Sequence, residues 1–312
     1  MSEAALLLAL AAAVAAGTPL FLAGLGELLT ERSGVINIGV EGMMLIGAVT
    51  AFLVADATSS AGLGLLAGSL AGGSLALLHA FLSISLRANQ IVSGLALVIF
   101  GTGVAMFIGR PIEGMPLAVR IGRLEVPFLS DIPFLGPVLF RQDAVVYASW
   151  FLALAVAIYL ARTRPGLSLR AVGESPATAD VMGINVAAVQ YIHTVIVGLL
   201  AGASGAYLIL ARVPNWSQAS TTSGLGWIAV ALVVFSLWRP WRLLLGAYLF
   251  GLALRANFTL QAAGIHGVPA EILAMTPYLL TIGVMIVLSS SNVRRRFGAP
   301  AALGMAYVRT ER

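Results

Sequence analysis

Long apolar runs set the rhythm of this chain, and the polar breaks between them are mostly short. A bilayer core requires about 20 apolar residues per helix. Runs of that kind fall at 4–26, 36–55, 61–86, 89–109, 144–162, 188–210, 223–238, 243–260 and 271–289. They predict an all-α, polytopic membrane protein: nine transmembrane helices in one domain over 1–312, the seventh short and the second joined tightly to the first. Two connections are longer than hairpin turns. Residues 110–143 form a loop rich in Pro and Gly, and long loops are often functional. Residues 163–187 form the other, and residues 290–312 form a tail.

Arginine placement orients the array. With the N-terminus outside and the C-terminus inside, twelve arginines fall on the cytoplasmic side, while Arg110, Arg120, Arg123, Arg141 and Arg212 fall outside. That is the expected cytoplasmic bias. Loop 163–187 and tail 290–312 are then cytoplasmic, and loop 110–143 is external. Arg255 alone falls inside a predicted span.

Composition supports the class. The chain is 59% hydrophobic and 10% charged, with a mean hydropathy of +0.97. Soluble domains carry about 25% charged residues, so this chain has too little charge to coat a water-facing surface. All 18 basic residues are arginine, for a net charge of +5. In a lipid bilayer that excess speaks to orientation, and no nucleic-acid partner is expected. Cysteine is absent, which excludes disulfides, thiolate metal sites and a cysteine nucleophile. The first residues lack the basic region of a cleaved signal and read as a retained helix.

The polar groups inside this apolar background carry the candidate chemistry. The stretch GELLTERSGVINIGVEGMM, residues 26–44, concentrates them. Gly34, Gly39 and Gly42 permit close helix packing or a break between spans. Non-helical backbone at membrane depth needs protein or a water-filled cavity to cover it. Glu27, Glu31 and Arg32 are expected to end the first helix and pair among themselves. Asn37 and Glu41 are expected one turn apart on the second helix, on one face. They either face the route of a polar solute or are structural, Glu41 then holding a neighbouring helix end. Asn89 and Ser93, one turn apart, either line that route or Asn89 simply caps the helix. His193 reads as an interhelical donor, since no His/Asp/Glu cluster has metal-ligand spacing. Arg255 snorkels, pairs with a carboxylate, or meets a partner. Trp216, Trp227, Trp238 and Trp241 read as an interfacial aromatic belt. No acid–base pair or nucleophile set stands out. The SGLALVIF at 93 and SGLGWIAV at 223 form a faint echo, of the kind that repeats in transporters leave.

Loop 163–187 has its own signal. Ser175 suits an N-cap, Pro176 the first helical position and Gly183 the C-terminal cap. Between them, ATADVM makes about two turns, presenting small residues and Met182 to the cytosol. It is either a solvated capped turn or a face built to be covered by a partner.

LRAVGESPATADVMGINV resembles the cytoplasmic coupling loop of permease subunits in bacterial ABC importers, in the branch for ribose-type sugars, branched-chain amino acids and nucleosides. GELLTERSGVINIGVEGMMLIGA resembles the signature of its nucleoside and simple-sugar subgroup, and NQIVSGLAL, GLGWIAVALVVFSLWRP and MTPYLLTI follow in that subgroup's order. The similarity runs from about residue 20 to 290. VFSLWRP departs from it, replacing a more usual glycine-containing turn before the tryptophan. The resemblance implies a transport subunit that moves nucleosides or related simple sugars by alternating access. It places Arg170, Gly173, Glu174, Ser175, Ala179, Asp180 and Gly183 at the contact with an ATP-binding subunit. It also implies a second, longer permease or a second copy, and an extracytoplasmic solute-binding lipoprotein. The shorter of two permeases is the better match, for want of an extra N-terminal helix. No P-loop occurs and the chain has no lysine, so ATP hydrolysis falls to a partner and this subunit is expected to bind no cofactor. An ion-coupled secondary transporter is the rival reading. It needs paired intramembrane carboxylates, and Glu41 is the one candidate.

Overall fold

Single polar residues, prolines and glycines place the helix ends. The computed structural model describes residues 3–217, 221–262 and 299–308, with isolated positions at 275, 276, 279, 282, 283 and 286. The expected ninth span and arginines 294–296, 309 and 312 therefore lie wholly or largely outside the described residues. The helices are α1 (Glu3–Arg32), α2 (Val40–Thr58), α3 (Ala61–Ala80), α4 (Gln90–Gly109), α5 (Leu135–Leu139) and α6 (Ala144–Arg162). They continue with α7 (Arg164–Glu174), α8 (Pro176–Val181), α9 (Val186–Tyr207), α10 (Leu225–Ser236) and α11 (Pro240–Ala262). Side-chain oxygens of Ser60, Asn89, Asp143, Thr163 and Asn185 accept the first free amides of α3, α4, α6, α7 and α9. Those amides have no partner within the helix.

Among the described residues, six helices are long and apolar enough to cross a membrane: Leu6–Arg32, Val40–Thr58, Ala61–Ser85, Gln90–Ile112, Ala144–Arg162 and Val186–Arg212. They coincide with the first six expected spans. The first helix runs past its expected end to Arg32, and the second begins at Val40 instead of 36. α9 runs through the centre, against α1, α2 and α3. A Cβ on Gly202 would lie 2.3 Å from the Gly68 carbonyl oxygen, and one on Gly72 would lie 2.4 Å from that of Gly198. Backbones meet this closely where lipid removes the hydrophobic drive between helices. Leu66, Leu70, Ile99 and Phe107 on α3 and α4 point away from the protein, which suits a lipid-facing wall.

The structure is mostly helical, with one departure from the all-α expectation. Within loop 110–143, β1 (Arg123–Glu125) pairs antiparallel with β2 (Arg141–Asp143), Leu124 opposite Gln142. The loop is long enough to satisfy its own backbone this way, and it seats on the chain after α9. Gly114 N donates to Trp216 O at 2.8 Å and Leu117 N to Pro214 O at 2.7 Å. Loop 163–187 likewise holds two helices, where the sequence predicted one. In α7, Leu169 and Val172 are buried while Arg164, Leu167 and Arg170 are exposed.

Candidate functional site

Residues 33–39 break the path between α1 and α2, and their backbone groups must find partners elsewhere. Side chains from three other helices supply many of them. Ile36 N donates to Gln90 Oε1 at 2.8 Å, and Ile36 O meets His79 Nε2 at 3.0 Å. Gln190 Nε2 donates to Ser33 O at 3.2 Å. From α1 itself, Glu27 Oε1 accepts Asn37 N at 3.0 Å. Asn37 Oδ1 accepts Gly39 N at 2.9 Å, so the asparagine shapes the break. Asn37 thus lies before α2 and not on it, a correction to the expected shared face with Glu41. Ser93 completes the same network through His79 Nδ1 at 3.1 Å.

The second half of the polar stretch grips α10. This helix has 12 residues, about 18 Å at 1.5 Å per residue, against a core of about 30 Å. Its C-terminal end lies beside the end of α1: Trp238 Nε1 donates to Glu31 Oε2 at 2.5 Å, and Arg32 donates to Trp238 O at 3.1 Å. Its N-terminus therefore falls short of a full crossing, where unpaired amides are costly. Gly224, at its N-cap, has no side chain to offer. Glu41 of α2 does the capping instead. Its carboxylate accepts Gly226 N at 2.6 Å, Gly224 N at 3.1 Å and the Thr222 hydroxyl at 2.5 Å. A carboxylate there also faces the positive end of the helix dipole. Glu41 is thus buried and holds a neighbouring helix end, one of its two expected roles. Glu27, Glu31 and Arg32 do not pair among themselves as expected; they bind the break and the end of α10.

The same end carries a conformational cost. Leu237 and Trp238 have φ of 55° and 54°, a left-handed conformation that glycine takes freely and other residues resist. This is where VFSLWRP departs from the glycine-containing turn. The bonds to Glu31 and Arg32 hold the tryptophan there.

In the α7–α8 loop the predicted caps are in place. Ser175 Oγ accepts Thr178 N at 3.4 Å, and Gly183 takes φ +82°. Arg170 and Glu174 are exposed. Asp180 accepts the Tyr307 hydroxyl at 3.2 Å. Two expected contact residues face inward. Ala179 is buried with Val172 and Val186 of its own chain. A Cβ on Gly173 would lie 2.2 Å from Arg32 O, so this glycine permits α7 to press on α1. The open face is Val181 and Met182, 66% and 76% exposed.

Other expectations resolve residue by residue. Asn89 is exposed and caps α4, accepting Ile91 N and Val92 N. His193 bonds Tyr159 Oη at 2.9 Å, an interhelical role, and Val189 O at 2.7 Å. Arg255 lines a cavity of about 670 Å³ with Arg123, Arg141 and Arg212. Trp227 and Trp241 are exposed, but Trp216 and Trp238 are buried and leave the aromatic belt. The echoed serines are not equivalent, since Ser93 sits inside α4 and Ser223 precedes α10. Sequence reasoning missed His79, Gln90, Gln190 and Thr222. The polar residues at the start of α4 were the one available signal.

The family described as the branched-chain amino acid transport system permease component matches residues 9–289. The chain belongs to this permease family. Three relatives cover nearly the whole of both chains. A putative glucose ABC transporter permease, TsgC13 of Haloferax volcanii, is 41% identical over 96% of each chain. A guanosine ABC transporter permease, NupQ of Bacillus subtilis, is 37% identical over 94% of each. A nucleoside ABC transporter permease, NupC of Lactococcus lactis, is 35% identical over 94% of each. No solved structure matches the chain. The permease is a multi-pass membrane protein and a transport subunit, and its family implies an ATP-binding subunit and a substrate-binding protein.

Proposed function

We propose that this permease forms half of a pore importing nucleosides or related simple sugars. The observation that carries the solute class is end-to-end similarity to permeases named for guanosine, nucleosides and glucose. A monosaccharide is the second reading, favoured by the 41% relative. The half-length α10 supports a pore role, because interrupted helices in transporters end where solute passes. An ion-coupled mechanism would require Glu41 to be available, yet its oxygens accept from Thr222, Gly224 and Gly226.

The chain is proposed to span nine times, N-terminus outside and C-terminus inside, paired with a second permease. α11 leads toward the end that carries β1 and β2, while residues 299–308 lie with α7 and α8, in keeping with that orientation. Loop 163–187 then faces the cytosol, and exposed Val181 and Met182 meet the ATP-binding subunit. Loop 110–143 faces the solute-binding lipoprotein. The subunit needs no cofactor of its own.

Reconstitution with the cognate ATP-binding subunit, second permease and binding protein tests this. ATP-dependent uptake of labelled guanosine or glucose is expected. Uptake driven by an ion gradient without ATP, or transport of neither solute, would overturn it.

A further inference from the structure

Residues 299–308 are joined to three separate elements. Ala302 N donates to Gly173 O of α7 at 2.9 Å. Gly304 N donates to Gly34 O of the α1–α2 break, also at 2.9 Å. The Tyr307 hydroxyl donates to Asp180 Oδ2 of α8 at 3.2 Å. Ala302 is buried, and Leu303 packs against the main core. The seat is shaped for this contact. Gly34 has φ +89°, and a Cβ there would come within 3.3 Å of Ala302 O. Met305 and Tyr307 also close a cavity of about 210 Å³ with Arg87, Gln90, Asp180 and Gln190. Gln90 and Gln190 are the side chains that hold Ile36 and Ser33 of the break.

α8 and the break share no hydrogen bond among those of the described residues. The path between them runs through α7, through the start of α9, where Val186 packs on Ala179 and Gln190 holds Ser33, or through this segment. The segment bridges them with one bond at each end, and fewer than four residues lie between Gly304 and Tyr307. So short a stretch has limited slack, since a chain spans at most about 3.3–3.6 Å per residue. A displacement of α8 beyond that slack must pull on Gly34 or break a bond.

We propose that residues 299–308 form a positioning strap for transport, which passes displacement of α8 to the α1–α2 break and so to the Glu41-capped end of α10. Tyr307 is its link to α8. The strap rests on the proposed docking of the ATP-binding subunit on α8. It acts on the coupling of hydrolysis to transport, and touches neither solute nor nucleotide.

The test uses the assembled complex in proteoliposomes and reads three quantities: co-purification of the ATP-binding subunit, ATP hydrolysis, and solute carried per ATP. A stop after residue 298 is expected to keep co-purification and hydrolysis while solute per ATP falls by about tenfold or more. Tyr307→Phe, which removes a single hydroxyl, should lower solute per ATP roughly threefold, the scale of one hydrogen bond. Met182→Arg separates the underlying reading. Retained binding of the ATP-binding subunit by Met182→Arg would refute docking on α8. Lost binding in Met182→Arg together with an unchanged ratio in the truncated chain would refute the strap alone. Should the truncated chain fail to assemble, an unchanged ratio in Tyr307→Phe refutes it equally.

Discussion

Replacing Glu41 by alanine separates a helix cap from a solute contact. The side chain is 7% exposed and accepts three donors, two of them backbone amides at the start of α10. Thr222 and Gly226 are buried, so water does not readily replace the carboxylate. A hydrogen bond to a charged group contributes about 1.5–3 kcal/mol. Counting only the two amides at the lower value gives about 3 kcal/mol. At about 1.4 kcal/mol per tenfold, the N-terminal turn of α10 should open roughly a hundredfold more often. Glu41→Gln keeps one carbonyl oxygen but turns an NH2 toward a donor, so it should lose about half as much. The measurements are uptake kinetics in proteoliposomes and thermal unfolding of the purified complex. Capping predicts that the unfolding midpoint and the maximal uptake rate fall together, Ala below Gln below wild type, with KM for solute unchanged. A Glu41→Ala complex with unaltered unfolding and a raised KM would refute the argument and place the carboxylate on the solute.

Three further outcomes follow from the same geometry. Trp238→Phe should destabilise by about 1.5–3 kcal/mol and Glu31→Ala by at least as much, and the double variant by less than their sum, because both remove one bond; additive losses in chemical denaturation would sink the pairing. Ala179→Arg should destabilise the α7–α8 loop in the permease alone, since it forces a charge between Val172 and Val186, whereas Met182→Arg should fold normally; limited proteolysis of that loop distinguishes them, and equal resistance would contradict the inward placement of Ala179. Asn89→Ala should cost about 1 kcal/mol through loss of the α4 cap and leave KM for solute unchanged, so a shifted KM would return Asn89 to the solute route.

Apolar run length made the first six spans readable, because lipid imposes one length on every helix that crosses it. The α8 caps were readable for a similar reason: Ser175, Pro176 and Gly183 act through local backbone geometry. Glu41 was different. Its partners lie more than 180 residues away in sequence, and no periodicity in the second helix points to α10. The same holds for Trp238 and Glu31, 207 positions apart. A tryptophan near a predicted span end reads as an interfacial anchor unless the carboxylate that fixes it is known. Ala179 misled for a subtler reason. Small residues on a short surface helix suit either a partner's groove or the protein's own wall, and only the packing of α7 and α9 decides between them.

Holding α10 at both ends removes a freedom that one cap would leave. A helix tied only at Glu41 could still roll about its long axis; with Trp238 locked to α1 as well, its azimuth is fixed. Trp227, Val230 and Val234 lie three and four residues apart along it and are wholly or partly exposed, so they always present the same stripe. Substitutions along that stripe leave both fasteners untouched, so its chemistry can change without disturbing the frame that aims it.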